Sequence, residues 1–218
     1  LNKNTESSIM KALSVKQAYS KKFKKFEFEG IWQEVFGNPE TTGGWIIHGD
    51  EKQGKSTFAL MLANYLTKFG KVLYISAEEG ISEHFTGAMK RMGINDTNKN
   101  FKIIEYEEWE DIEERMKKRQ CQKIIFIDNI TKYVDEITKA KLKELMMKHQ
   151  DKLIIFVSHE ERGMPDTAAG RYWRKMSKII VQAKGMRVTV LGRCPGGNIM
   201  IDEEKALLYH GTELKETN

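Results

Sequence analysis

The stretch Gly49-Asp50-Glu51-Lys52-Gln53-Gly54-Lys55-Ser56 meets the spacing G-x-x-x-x-G-K-[ST] at every fixed position. Gly49 and Gly54 let the backbone curl so that successive N–H groups face one concavity, which suits phosphate oxygens. Lys55 supplies a point charge to the outer phosphates, and the Ser56 hydroxyl is a ligand for Mg²⁺. Context strengthens the pattern. Trp45-Ile46-Ile47-His48 precedes it as a short apolar strand, and residues 54–69 follow as a helix with Phe58, Leu62, Tyr65 and Leu66 on one face. Gly70 stands where a helix C-cap glycine is expected. Strand, glycine loop and helix together predict nucleotide binding on residues 49–57, Thr57 included.

Outward from the loop, apolar runs alternate with helical patterns. Val72 to Ile75, Phe101 to Tyr106, Ile124 to Ile127 and Leu153 to Val157 read as strands. Ile81 to Met92, Glu108 to Arg119 and Thr138 to His149 read as the helices between them. Apolar runs of four or five residues separated by helices describe a mostly parallel sheet covered on both faces, an α/β three-layer arrangement. After Gly185 the spacing tightens. Arg187 to Leu191, Asn198 to Ile201 and Ala206 to Tyr209 are read as antiparallel C-terminal strands extending that sheet. No repeat or composition break divides the chain, so the organisation expected is a basic N-terminal arm (1–28) and one domain (29–218).

The chain has 218 residues, of which 40% are hydrophobic and 31% charged, enough for a sizeable core. That balance excludes collagen-like and wholly disordered classes. No stretch reaches the ~18 apolar residues of a membrane span, and no secretory signal is read at Leu1 onward. Cys121 and Cys194 are too few for a disulfide framework or a structural zinc site, so a cytoplasmic, reducing setting is expected. The formal net charge is +5, but residues 1–25 and residues 161–193 each carry +6, leaving −7 elsewhere, densest from Glu105 to Glu114. Such a distribution points to a polyanionic partner. For residues 1–28 two readings stand, a solvated helix followed by an edge strand, or an arm that docks on a neighbouring subunit or touches nucleic acid.

A second motif completes the metal site. Lys123-Ile124-Ile125-Phe126-Ile127-Asp128 is an apolar strand ending in a carboxylate, the pattern that holds the Mg²⁺ hydration shell through Asp128. No N-K-x-D guanine motif is present, since Thr131-Lys132-Tyr133-Val134-Asp135 has one residue too many, so ATP is favoured over GTP.

Tyr74-Ile75-Ser76-Ala77-Glu78-Glu79-Gly80 resembles the strand end that follows the first helix in RecA and RadA recombinases. That resemblance implies a catalytic Glu at Glu78, orienting or deprotonating the attacking water, with Glu79 a solvent-facing neighbour. Phe156-Val157-Ser158-His159 is similar to the family's next strand, which implies γ-phosphate sensing at Ser158 and His159. The alternative is an ordinary strand-end cap. Thr167 to Arg171, Ile179 to Val181 and Arg187 to Gly196 resemble the RadA-like branch. Arg193 stands where the family has an arginine that acts in trans on a neighbour's γ-phosphate, the alternative being an exposed arginine at a strand end, and Leu191 and Cys194 depart from the family's Lys and Phe. The resemblance covers roughly residues 40–196 and extends to compact single-domain RecA-like ATPases of phages and mobile elements. It implies a RecA-like P-loop core with a strand between the two motif strands, ATP and Mg²⁺ as ligands, and a ring or filament of identical subunits.

Within the second basic segment, Arg171-Tyr172-Trp173-Arg174-Lys175 interleaves rings with cations, as single-stranded nucleic acid binding favours. Arg171, Trp173, Arg174 and Lys175 are the candidate contacts for single-stranded DNA. The competing reading makes Trp173, Met176, Ile179 and Ile180 the packed stripe of a helix. The expected activity is ATP hydrolysis coupled to DNA recombination, replication or repair, with Lys55, Glu78 and Arg193 as the catalytic set. A replicative-helicase-like motor and a nucleotide-switched assembly or loading module with little turnover are the alternatives.

Overall fold

Four central runs that are apolar on both faces but for Tyr74 and His48 form a sheet buried on both sides. The structure, a computed structural model describing residues 12–211, contains it. After α1 (Val15–Tyr19) and α2 (Gly30–Phe36), β1 (Gly43–Gly49) leads through the glycine loop into α3 (Lys55–Leu66). Then come β2 (Val72–Ser76), α4 (Glu83–Arg91), β3 (Phe101–Ile104), α5 (Trp109–Lys117) and β4 (Ile124–Asp128). A 3-10 turn, α6 (Lys139–Lys148), β5 (Leu153–Glu161), β6 (Met164–Pro165) and α7 (Ala168–Met176) follow. The chain closes with β7 (Ile179–Lys184), β8 (Arg187–Gly192), β9 (Gly197–Met200) and α8 (Glu203–His210).

The strand order is β3-β2-β4-β5-β1-β7-β8-β9, with β6 paired to the end of β5. Every pair from β3 through β7 is parallel, and β7-β8-β9 are antiparallel. As expected, one strand, β5, lies between the two motif strands β1 and β4. Alternation along β1 separates two cores. Trp45 and Ile47 face α2, α3 and α4, while Ile46 faces α5, α6 and α7. Among the described residues no helix is long and apolar enough to cross a membrane.

Four expectations are corrected. Residues 206–209 are helical, within α8, whose start is capped by the Asp202 side chain accepting from the Lys205 N–H. The Asp202 cap and two first-turn acids, Glu203 and Glu204, favour a helix N-terminus over a strand. Helix α3 stops at Leu66 with Thr67 as its C-cap, so Gly70 lies beyond the helix end. The edge strand expected near residues 23–28 reduces to one bridge, Lys25 to Glu40. Phe26 and Phe28 are instead buried in this chain's own core, stacked at 5.5 Å, and so are not available to a neighbour. Residues 1–11 of the arm lie outside the described residues.

The fourth correction bears on function. Trp173 is fully buried on α7, its Nε1–H donating to the Trp45 carbonyl at 2.8 Å and its ring meeting Phe156 edge-on at 4.7 Å. It is a core residue and cannot stack on a base. Trp173→Ala is expected to cost about 3–5 kcal/mol of stability in a denaturant titration; a loss below about 1 kcal/mol would return the ring to the surface.

Candidate nucleotide site

Parallel strands end on one edge, and loops at their C-terminal ends converge there. Register makes the convergence explicit. Asp128 at the end of β4 pairs with Ser76 at the end of β2, and His159 on β5 pairs with Gly49 at the end of β1. Glu78 follows β2 by two residues. A cavity of about 440 Å³ opens at this edge, lined by the loop, Lys55, Ser56, Glu78, Asp128 and His159, and also by Glu79 and His84.

The loop itself depends on its glycines. A Cβ on Gly49 would sit 2.3 Å from the Ala183 carbonyl oxygen. Gly54 has φ +98 and lies under Ile201 and Met186, so a side chain there is excluded twice. Gln53 spends its carbonyl on the Gly185 N–H at 2.6 Å, tying the loop to the β7–β8 turn. Asp50, Glu51 and Lys52 are exposed on the loop, and Thr57 is half-buried on α3. Lys55, at 7% exposure, donates from Nζ to the Asp50 carbonyl at 2.6 Å. Burial lowers its pKa, opposed by Glu78 and Asp128.

Asp128 is buried and accepts hydrogen bonds from the Tyr74 hydroxyl at 2.6 Å and from Ser56. Burial pushes its carboxyl up to about 6. No ammonium or guanidinium pairs with it among the described residues. A buried carboxylate without an ion pair, beside a serine hydroxyl, fits a hard cation that takes its other oxygens from phosphate and water. Glu78 is differently placed. His159 Nε2 binds its Oε1 at 3.1 Å and Asn129 Nδ2 donates to its Oε2 at 2.9 Å. The hydrogen bond to His159, helped by Asn129, holds the carboxyl down at about 2, and the same contact raises the His159 pKa.

Other candidates are placed elsewhere. Ser158 is fully buried on the opposite face of β5, under Gly170 of α7, because adjacent strand residues point to opposite sides. It does not line the cavity. Arg193 is exposed next to Lys178, at the strand end where Ile179 pairs with Gly192, far from the Gly49–Ala183 end. Arg171 donates to the carbonyls of Pro165 and Asp166. Arg174 Nε donates to His48 Nε2 at 3.3 Å, which leaves His48 Nδ1 to donate to Glu160 at 2.7 Å. Lys175 alone of that set is exposed without an ion pair or side-chain hydrogen bond.

Sequence reading missed Asn129, Tyr74 and His84. His84 Nδ1 meets Glu79 Oε1 at 2.5 Å and both line the cavity rim, while Glu79 stays exposed, the solvent-facing neighbour expected. Tyr74 carries a legible signal, being a hydroxyl in an otherwise apolar run. His84 carries none, because only the fold of the loop after β2 brings it near.

The Asp128 environment generates a pH test. Its folded carboxyl titrates at about 6 against 3.8 for the free group. The group therefore favours the folded state below about pH 4, and that contribution is lost as pH rises through about 6. Without divalent cation, Asp128→Asn is expected to raise the melting temperature at about pH 7.5 relative to the parent, with the gain shrinking towards about pH 4. Circular dichroism melts across that range measure it, and a lower melting temperature for the variant at neutral pH would overturn the assignment.

No protein-family model matches the chain, and no curated protein matches it. Solved structures do. The flagellar accessory protein FlaH from Methanocaldococcus jannaschii superposes with TM-score 0.56 at 16% identity, over 82% of this chain and 93% of that one. The KaiC-like protein PH0186 from Pyrococcus horikoshii OT3 does so with TM-score 0.55 at 16% identity, over 82% and 92%. At that identity the likeness speaks to the fold: a RecA-like P-loop core with antiparallel strands at its C-terminal side.

Proposed function

We propose that the protein binds Mg²⁺-ATP on residues 49–57 and hydrolyses it. The observation that carries this is the meeting of Lys55, Asp128, Glu78 and His159 on one cavity at the loop. Lys55 would leave the Asp50 carbonyl for the phosphate oxygens, which restore the acceptor it gives up. Ser56 and Asp128 would hold Mg²⁺, whose charge neutralises the phosphates when it is bound. Glu78, held at about 2, is a weak base. Its role is to accept a hydrogen bond from the attacking water and aim it at the γ-phosphorus, with Asn129 and His159 fixing the carboxylate. A new P–O bond forms, the bond to the bridging oxygen breaks with its electrons leaving on ADP, and the water's proton passes to the phosphate.

The output is better supported as protein assembly than as DNA recombination, replication or repair. With Trp173 in the core and Arg174 on His48, the DNA reading rests on Lys175 and on an Arg171 already bonded to a turn. Glu160 follows His159 directly and joins His48 and Gln182 beneath the sheet, so a change at the γ-phosphate has a polar route to α7. Arg193 would meet a phosphate only in a second copy, stacked head to tail into a ring or filament. That geometry needs the copy's strand-start end over this site.

Steady-state ATP turnover tests the reading, with Lys55→Ala as the blank. Glu78→Gln is expected to lower kcat by about 10²-fold, the cost of a misaimed water, with KM within about threefold. Added single-stranded DNA is expected to leave turnover unchanged. Turnover that survives Glu78→Gln would remove its role, and salt-sensitive stimulation by DNA would restore the recombinase-like reading.

A further inference from the structure

At the other end of the sheet, where β1, β2, β4 and β5 begin, two adjoining depressions of about 950 and 560 Å³ share Arg119, Lys123 and Asp151 in their walls. Together they are lined by nine lysines and arginines against three acids. One carboxylate, Asp151, is shared by the ammoniums of Lys123 and Lys152. Lys152 is only 4% exposed and its Nζ lies 3.4 Å from that carboxylate, a long contact for a buried cation. Beside it His149, also buried, has its pKa lowered by burial and by the Lys152 charge. Lys71, Lys118 and Arg119 have no ion-pair partner among the described residues. The larger depression has an apolar floor of Phe26, Phe69, Cys121 and Ile124.

A face with excess buried and exposed positive charge next to an apolar cleft asks for a ligand that is anionic and apolar at once. We propose that it docks an acidic segment of a partner protein, with an apolar side chain of that segment in the larger depression and its carboxylates on the cations around Lys118 and Lys152. A nucleic acid strand fits less well, because it needs an exposed ring for its bases. Of the two rings in the lining, Phe26 is 3% exposed, and the half-exposed Phe69 is packed edge-on against Phe26 at 5.5 Å. The site is remote from the nucleotide cavity and sits on different residues. The inference adds a partner class to the assembly reading but does not need ATP turnover.

The test is fluorescence anisotropy of the full chain, without nucleotide, at about physiological salt. The probes are a labelled peptide of alternating Glu and Leu with one Trp, the same peptide with Leu and Trp changed to Ser, and an oligo-dT strand. The first peptide is expected to bind, and the Ser peptide about tenfold more weakly. The exposed double variant Lys118→Glu with Arg119→Glu is expected to weaken the first peptide about tenfold or more while leaving ATP turnover intact. Lys152→Met is a second variant, read only if its melt shows a folded protein. Equal binding of the two peptides, no effect of the double variant, or no binding at millimolar peptide would overturn the proposal. Tighter binding of oligo-dT that the same double variant abolishes would overturn it in favour of a nucleic acid face. Because binding is read without ATP, an inactive ATPase and an unoccupied docking face are separate results.

Discussion

The close passage of β1 beside β7 is the constraint on which the rest depends. At Gly49 the Ala183 carbonyl oxygen occupies the space a Cβ would need, while on the other side the same residue pairs with His159 of β5. One glycine thus sets how three strands end. Fixing those ends fixes where the loop begins, where His159 points, and how near the β7–β8 turn comes to Gln53. A larger residue would push β7 outwards and open the joint through which the loop is held. The parallel register then transmits this placement across β4 to Asp128 and across β2 to Glu78 without any further device, because paired strands do not slide independently.

Around that edge the electrostatics are those of a site built for a ligand. Lys55 and Asp128 are both withdrawn from water, and each has its pKa moved against its charged form by burial. Two opposed charges left unpaired in a dry place are costly, and the cost falls when a polyanion and a divalent cation arrive together. Glu78 has the opposite environment. Donors on both oxygens stabilise its charge, so it is a fixed acceptor rather than a proton store. Two carboxylates on neighbouring strand ends therefore differ in protonation behaviour because one faces the core and the other faces polar donors.

Much of this was legible in the sequence, and the physical reason is locality. The loop, its flanking strand and helix, and the run ending at Asp128 are each written in fewer than about twenty consecutive residues, and their periodicities are unambiguous. Glu78 was legible because it follows an apolar strand at the matching place. What failed depended on side-chain direction or on distant contacts. Ser158 and His159 are adjacent, and only the pleat of β5 decides which of them sees the cavity. Residues 171–175 satisfy a nucleic-acid pattern and a packed-helix pattern equally well. The outcome turned on Gly44, whose missing side chain leaves the space that the Trp173 ring fills. The hydroxyl of Tyr74 reaches Asp128 across 54 residues of chain, a pairing that no spacing rule anticipates. The basic far end is not legible as one cluster because its cations come from four separate segments, residues 24–25, 71, 117–123 and 148–152.

A parallel sheet has two chemically distinct ends, and here the same strands serve both. Lys152 immediately precedes β5 and His159 lies near its end, seven residues away, about 23 Å at the usual rise of a strand. β5 is hydrogen-bonded to β4 on one side and β1 on the other, so it cannot stretch between those points. A change of nucleotide state can then travel as a rigid shift of β5 with its neighbours, which reaches the far face, or through Glu160, His48 and Arg174 into α7, which does not. The first route moves Lys152 and Lys123 together and preserves their shared contact with Asp151. The second leaves them still and moves α7 alone. The two therefore differ in whether occupation of the far face alters nucleotide affinity, since coupling through a shared rigid body is reciprocal by thermodynamic necessity.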